Sequence, residues 1–192
     1  MNPILQKLRR FRQAALWLGL LASLAAGAAG FCGDVSLTEY QVKALFLMNF
    51  TKYVDWPETA FAGTKAPITI GVYGKNNFGE ALQNAVAGRS VNGRGILIEQ
   101  MENTNDLVKC QVLFISGSEA AKQGQILDQL KAAPVLTVGE SEGFTDRGGI
   151  INFVKKTGKI RLEINAQAAQ EATLQISSKL LSVADVVKGI PK

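Results

Sequence analysis

The stretch Gln111-Val112-Leu113-Phe114-Ile115-Ser116-Gly117-Ser118 decides the fold class of this chain. Its apolar run does not alternate with polar residues, which is typical of a strand buried on both faces of a sheet. The Ser-Gly-Ser that follows can cap a helix, which we expect to extend to about Ala132. A central strand that leads directly into a helix predicts an α/β fold.

Strands and helices also alternate on both sides of this stretch. Residues 68–73 predict a strand, about 78–86 a helix, 95–101 a second strand and 135–139 a further one. Near the C-terminus, two strands are predicted that form a hairpin around the turn Lys155-Lys156-Thr157-Gly158. The hairpin strands are expected over residues 150–154 and 159–165.

A final helix is expected over about residues 166–187, because apolar residues recur there at helical spacing. They are Ala169, Ala172, Ile176, Leu180, Val183 and Val187. The whole pattern predicts an α/β three-layer sandwich with a mixed central β-sheet flanked by helices, ending in a C-terminal β-hairpin and helix.

An aromatic-rich helix is predicted before the first strand, over about residues 38–54. Ser36-Leu37-Thr38-Glu39 has the form of a capping box that would start it, and Trp56-Pro57 would end it. Val42, Phe46, Phe50 and Tyr53 lie on one face, so we expect mainly a core element. A membrane-surface helix is disfavoured because the polar face is not notably cationic.

Residues 1–30 have the pattern of a secretory signal peptide: a basic stretch, an apolar segment, and then small residues. Cleavage is expected before Ala29 or before Phe31, which places the protein in the periplasm. The alternative, an uncleaved anchor, is disfavoured because the apolar segment is shorter than the roughly 20 residues that span a bilayer. We expect a short flexible tail over 31–35 and a single domain over 36–192, with no direct membrane insertion after cleavage.

The net charge of +5 does not indicate a nucleic-acid partner. Four basic residues and no acidic ones lie in the predicted signal peptide, and the remainder carries 17 basic and 16 acidic side chains. Without a cationic stripe, binding of nucleic acid is not expected.

The two cysteines, Cys32 and Cys110, leave three interpretations open. Export permits a Cys32–Cys110 disulfide. Cys110 precedes an apolar run and could equally be a buried free thiol. Lipidation of Cys32 is disfavoured because the bulky Phe31 precedes it.

The chain contains no histidine, which argues against an enzyme. Nucleophile–histidine pairs, histidine general bases and nearly all zinc-enzyme sites need this side chain. The close acid pairs, Glu140 with Glu142 and Asp34 with Glu39, fall on predicted turns or helix caps. No cofactor or metal is expected, and the glycines near Asn76 and Asn77 favour an ordinary strand-to-helix turn over an anion site.

Polar residues in structured places are the candidate binding residues. Alternation places Arg161, Glu163 and Asn165 on one face of the second hairpin strand, where they form either a contact surface or a self-satisfied Arg–Glu pair. Ser177 and Ser178 lie beside leucines and either contact a partner or bond to their own backbone.

The sequence resembles the YfiR family of periplasmic proteins over nearly the whole mature chain. The resemblance begins at Glu39-Tyr40-Gln41-Val42-Lys43-Ala44 and Asn49 through Pro57, and continues through the predicted strands. It closes with Gly148-Gly149-Ile150-Ile151-Asn152-Phe153 and with the segments around Arg161 and Ser177.

This resemblance implies a dimeric periplasmic repressor that binds the sensor domain of an inner-membrane diguanylate cyclase. An outer-membrane lipoprotein would sequester it, releasing the cyclase and raising cyclic di-GMP, which favours biofilm growth. Cys110 matches a family cysteine, but the folded part has no second one. The competing hypothesis is a periplasmic small-ligand receptor for a sensor or transporter, with a pocket lined by Arg161 and Asn152. A broad exposed apolar patch would instead favour a protein partner.

Overall fold

The structure is a computed structural model that describes residues 37–189. The predicted signal peptide, the tail over 31–35 and Cys32 lie outside these residues. The predicted Cys32–Cys110 disulfide therefore stays a prediction.

The described chain alternates between helices and strands much as the sequence predicts. Its helices are α1 (Glu39–Tyr53), α2 (Ala81–Val86), α3 (Gln123–Leu130), α4 (Ala166–Glu171) and α5 (Ser178–Leu181). Its strands are β1 (Val54–Asp55), β2 (Ile68–Tyr73), β3 (Ser90–Val91), β4 (Arg94–Met101), β5 (Val112–Ile115), β6 (Leu136–Gly139), β7 (Ile151–Lys156), β8 (Lys159–Asn165), β9 (Gln175–Ile176) and β10 (Val186–Lys188).

Within residues 37–189, eight of these strands form one mixed sheet in the order β10-β8-β7-β6-β5-β2-β4-β3. The five strands from β7 to β4 in this order are parallel, and β7 and β8 form the predicted antiparallel hairpin. β1 and β9 pair separately. The predicted α/β sandwich with a mixed central sheet is confirmed.

The sheet carries an apolar core on each face. On the α1 face, the Phe50 and Phe153 rings stack with centroids 6.0 Å apart, and Phe78 meets Phe114 edge to face at 4.9 Å. On the opposite face, α3 packs with Leu113, Ile115 and Phe144. The buried β5 thus contributes to both layers, as its continuous apolar run predicts. No helix in the described range is long and apolar enough to cross a membrane.

The predicted capping box of α1 is wrong by two residues. Thr38, not Ser36, is the N-cap, and its hydroxyl accepts from the Gln41 N–H at 3.3 Å while the Gln41 side chain accepts from the Thr38 N–H at 2.7 Å. Glu39 does not reach back, because its carboxylate binds the ammonium groups of Lys43 and Lys155.

The C-terminal helix is present but is not one helix over residues 166–187. After α4 the chain forms β9, α5 and β10 in turn. Residues Gln175–Ile176 pair with Val54–Asp55 of β1, and Val186–Lys188 joins the edge of β8. The apolar spacing predicted that the backbone N–H and C=O groups of these residues would bond within a helix. They pair with distant strands instead.

Candidate functional site

The crevice beyond the carboxyl ends of β2 and β5 is the place where open α/β sheets bind ligands. These strands are neighbours, yet β2 leads through α2 to β4 on one side and β5 leads through α3 to β6 on the other. Such a reversal of strand order is a topological switch point.

This crevice is filled by a cluster of the protein's own groups, here called the Glu140 cluster: Tyr40, Lys43, Asn77, the Gly117 backbone and Glu140. Lys43 Nζ lies 2.7 Å from Glu140 Oε2, which also accepts from the Tyr40 hydroxyl at 3.1 Å. Glu140 Oε1 accepts from the Gly117 N–H at 2.9 Å, and Asn77 Nδ2 donates to the Tyr40 oxygen at 3.0 Å. Both carboxylate oxygens are thereby bound.

The charges in the Glu140 cluster are held in place by burial and pairing. The side chain of Lys43 is only 4% exposed and that of Glu140 10%. Burial lowers the pKa of Lys43, but its hydrogen bonds to Glu140 and Glu39 outweigh that effect and the pKa is raised overall. Burial also raises the pKa of Tyr40, so its hydroxyl stays protonated. The cluster closes the crevice with a self-satisfied network.

An open apolar groove lies instead between α1, the β7–β8 hairpin and α5; we call it the α1–hairpin groove. It consists of two adjoining depressions of about 600 and 410 Å³ that share Phe46 and Ile160. Phe50, Leu162 and Leu180 are buried where they line it. Its other lining residues are Leu37, Glu39, Val42, Asn49, Tyr53, Lys155, Gly158, Lys159, Arg161, Lys179, Ser182 and Val183.

Positive charge surrounds this groove. Four lining residues are cationic, Lys155, Lys159, Arg161 and Lys179, and one, Glu39, is anionic. Lys155 is paired with Glu39 at 3.0 Å, and Arg161 lies 3.8 Å from the carboxylate of Asp185. Lys159 and Lys179 are the lining cations that make no ion pair within the described residues. The groove therefore presents apolar surface with a net positive rim.

Asn152 and Asn165 act in structure rather than at the groove. Asn152 is buried on the opposite face from Phe153, where its Nδ2 donates to the Ser141 carbonyl at 3.0 Å and its Oδ1 has no partner among the described residues. Asn165 caps α4 by accepting from the Ala168 N–H at 2.9 Å. A pocket lined jointly by Arg161 and Asn152 is not formed in this part of the chain.

Arg161 and Glu163 lie on the same face of β8, as alternation predicts, but no ion pair joins them within residues 37–189. Arg161 Nη1 instead lies 3.8 Å from the Asp185 carboxylate. Glu163 is opposite Asn152 in the hairpin register. Of the predicted ladder, only Arg161 reaches the α1–hairpin groove.

Ser177 and Ser178 start α5. The Ser177 hydroxyl accepts from the Leu180 N–H at 3.3 Å, so it bonds to its own backbone as the helix N-cap. Ser178 is the first, exposed residue of the helix. Their effect on the groove is indirect, because the cap positions Leu180 and Lys179.

Cys110 is buried and has no disulfide partner among residues 37–189; it packs beneath Gly71, where a Cβ would come within 2.5 Å of its Sγ. Burial raises the pKa of this thiol to about 12. A neutral, packed thiol has little nucleophilic character. The described residues also contain no cluster of acids and cysteines that could hold a metal ion.

Sequence reasoning missed Lys43 and Glu140 as partners. Lys43 lies on the apolar side of α1, and a basic residue among core positions was the available signal. Glu140 was considered only as a turn residue beside Glu142. Their contact joins residues 97 positions apart, which spacing does not reveal.

The fold is that of an α/β domain with an open apolar groove beside α1. The chain belongs to the YfiR/HmsC-like family, whose sequence profile matches residues 40–185. The family is a regulatory, non-enzymatic and periplasmic one. No protein of curated function matches the sequence.

Two solved structures share the fold. A conserved domain protein from Vibrio cholerae O1 biovar El Tor has a TM-score of 0.50 and 16% identity, with 80% of this chain and 61% of that chain covered. A Streptococcus ABC domain in complex with L-Trp has a TM-score of 0.50 and 14% identity, with 75% and 60% covered. The chain thus spans about three fifths of the length of each, and the likeness concerns the fold alone.

Proposed function

We propose that this protein represses cyclic di-GMP signalling by binding the periplasmic sensor domain of an inner-membrane diguanylate cyclase. The family match over residues 40–185 carries the proposal, because it includes nearly all of the described fold. The protein acts through its surface and needs no cofactor.

Repression by binding is a population shift. The protein favours the inactive state of the sensor domain to the extent that it binds that state more tightly than the active one. Moving the equilibrium from 99:1 active to 1:99 takes about 5.5 kcal/mol of differential binding free energy, which lies within the range of one protein interface.

Two features of the described fold support a protein partner over a small ligand. The Glu140 cluster occupies the crevice in which a small-ligand receptor of this architecture would bind its ligand. The α1–hairpin groove, in contrast, leaves apolar surface open beside a charged rim, as protein interfaces do. The competing hypothesis of a periplasmic small-ligand receptor lacks its expected Arg161–Asn152 pocket in these residues.

The proposal includes further components. Residues 1–30 act as a cleaved leader that delivers the protein to the periplasm, an outer-membrane lipoprotein relieves repression by sequestering it, and the working form is a homodimer. N-terminal sequencing of the mature protein tests the leader, and light scattering of the purified protein tests the dimer.

The central experiment is deletion and complementation in the host bacterium, with cyclic di-GMP as the readout. Deletion is expected to raise cyclic di-GMP, the wild-type gene to restore it, and removal of the cognate cyclase to abolish the difference. Unchanged cyclic di-GMP in a deletion strain grown where the protein is expressed would contradict the proposed function.

A further inference from the structure

We infer that the α1–hairpin groove is the docking surface of this protein and that its occupant is an acidic, amphipathic segment of another protein. The inference rests on the proposed function and deepens it, since it assigns the surface and the chemistry of the partner. Of the predicted binding residues, only Arg161 lines this groove.

The shape of the groove fits inserted side chains. Its floor is recessed, because Phe50, Leu162 and Leu180 lie at 0–4% exposure, whereas Tyr53 and Val183 on the rim are 38% and 58% exposed. From Val42 to Tyr53 it follows twelve residues of α1, a rise of about 16 Å or three helical turns. A partner segment with an apolar face of similar length can insert several side chains into the groove.

The charge of the rim specifies an acidic partner. Residues 37–189 as a whole are nearly neutral, with 16 basic and 15 acidic side chains. The groove is lined by four cations, of which Lys155 is paired with Glu39 and Arg161 with Asp185. Lys159 and Lys179 make no ion pair within these residues, so their charges are available to a partner. Complementary charge at a rim steers association and excludes wrong partners.

The same charge argues against a second copy of this chain as the occupant. Symmetric pairing through one patch would bring the patch against itself, so that the unpaired cations Lys159 and Lys179 would face the same cations of the second copy. A membrane surface fits less well than a protein segment, because membrane binding inserts protruding apolar side chains rather than filling a recessed floor.

The first test reverses the charge of the rim in the complementation strain. Lys159→Glu with Lys179→Glu is expected to leave cyclic di-GMP at the level of the deletion strain. The matched control is Lys65→Glu with Lys75→Glu, two exposed lysines that lie outside the groove, and this variant is expected to repress like the wild type. Periplasmic levels and thermal midpoints are compared to verify folding.

The second test removes apolar anchors from the rim. Tyr53→Ala with Val183→Ala is expected to weaken binding to the purified periplasmic domain of the cyclase by roughly 30-fold. Its control is Leu97→Ala with Val108→Ala, whose parent side chains are exposed to a similar degree, 44% and 48%, away from the groove. This control is expected to bind as the wild type does.

The outcomes separate the two proposals. If the wild-type gene itself does not restore cyclic di-GMP, the proposed function fails. If the wild type and both groove variants repress and bind equally well, the function stands and the groove assignment is overturned. Loss of binding to phosphatidylglycerol vesicles, or of dimer formation, in the groove variants without loss of cyclase binding would also overturn it.

Discussion

The Glu140 cluster and the α1–hairpin groove both border α1, and they have opposite chemistry. In the Glu140 cluster, charged side chains are buried and every carboxylate oxygen has a donor. In the groove, an apolar depression is open to solvent, and the charged residues lie at its rim. The polar groups of the Glu140 cluster bind one another, whereas the groove leaves apolar surface available to a partner.

This difference indicates how a ligand-binding architecture can serve protein recognition. α/β sheets offer a crevice at the switch point, and here α1 supplies a lysine and a tyrosine that fill it. The apolar surface beside α1 and the hairpin then remains as the open feature. Substitutions in the Glu140 cluster should therefore lower the stability of the fold, whereas substitutions at the groove should weaken binding to a partner.

The largest expected effect is on stability, from Lys43→Ala. Removing one partner of a buried ion pair leaves an uncompensated charge, so the free energy of unfolding should fall by about 3–5 kcal/mol. Urea denaturation measures this loss. Lys52→Ala, at an exposed position of the same helix, should change it by less than about 0.5 kcal/mol. A loss for Lys43→Ala as small as that of the control would mean that the pair contributes nothing.

Tyr40→Phe should have a smaller effect in the same cluster. It removes the hydroxyl that donates to Glu140 and accepts from Asn77, which should lower the free energy of unfolding by about 1.5 kcal/mol. Tyr53→Phe is the matched change in the groove, and we expect little change because no protein hydrogen bond to that hydroxyl is present in the described residues. Equal losses for the two tyrosines would remove the distinction between the regions.

Glu39 connects the two regions, because it contacts Lys43 and lines the groove. We expect its contribution to stability to depend on pH. Hydrogen bonds from Lys43 and then from Lys155 hold the pKa of Glu39 below its ordinary value of 4.5. A lowered pKa stabilises the folded state above the unfolded-state value, and this stabilisation is lost as pH falls through the folded-state value. Between pH 5 and pH 3, Glu39→Gln should lose less stability than the wild type in denaturant titrations. If the free energy of unfolding falls equally with pH in the wild type and in Glu39→Gln, Glu39 contributes nothing to acid sensitivity.

The smallest effect on stability is expected at the rim of the groove. Val183→Ser removes exposed apolar surface and should change the free energy of unfolding by no more than about 0.5 kcal/mol. Thermal and urea unfolding both measure it. A loss above about 1 kcal/mol would indicate that Val183 is packed in the folded protein and is not available to a partner.

The sequence predicted the elements that depend on local pattern. The strand at residues 111–116, the hairpin around Thr157 and the presence of helix α1 were predicted correctly, because neighbouring residues show the side-chain period of a strand or helix. The predicted core face of α1 was wrong. Of Val42, Phe46, Phe50 and Tyr53 only Phe50 is buried, and Ala44, Leu47 and Met48 pack into the core instead. The C-terminal segment was predicted wrongly for the converse reason. Its apolar residues have helical spacing, but β9 and β10 pair with strands that are distant in the chain.

The two functional regions depend on tertiary structure to different degrees. Family membership and the absence of histidine could be recognised without coordinates, and Arg161 was correctly expected on an accessible strand face. The Glu140 cluster joins side chains 97 and 100 residues apart, and the groove joins α1 to residues of β8 and α5. Local sequence governs backbone conformation, whereas charge pairing and unfilled apolar surface arise only when the folded chain brings distant residues to within a few ångströms.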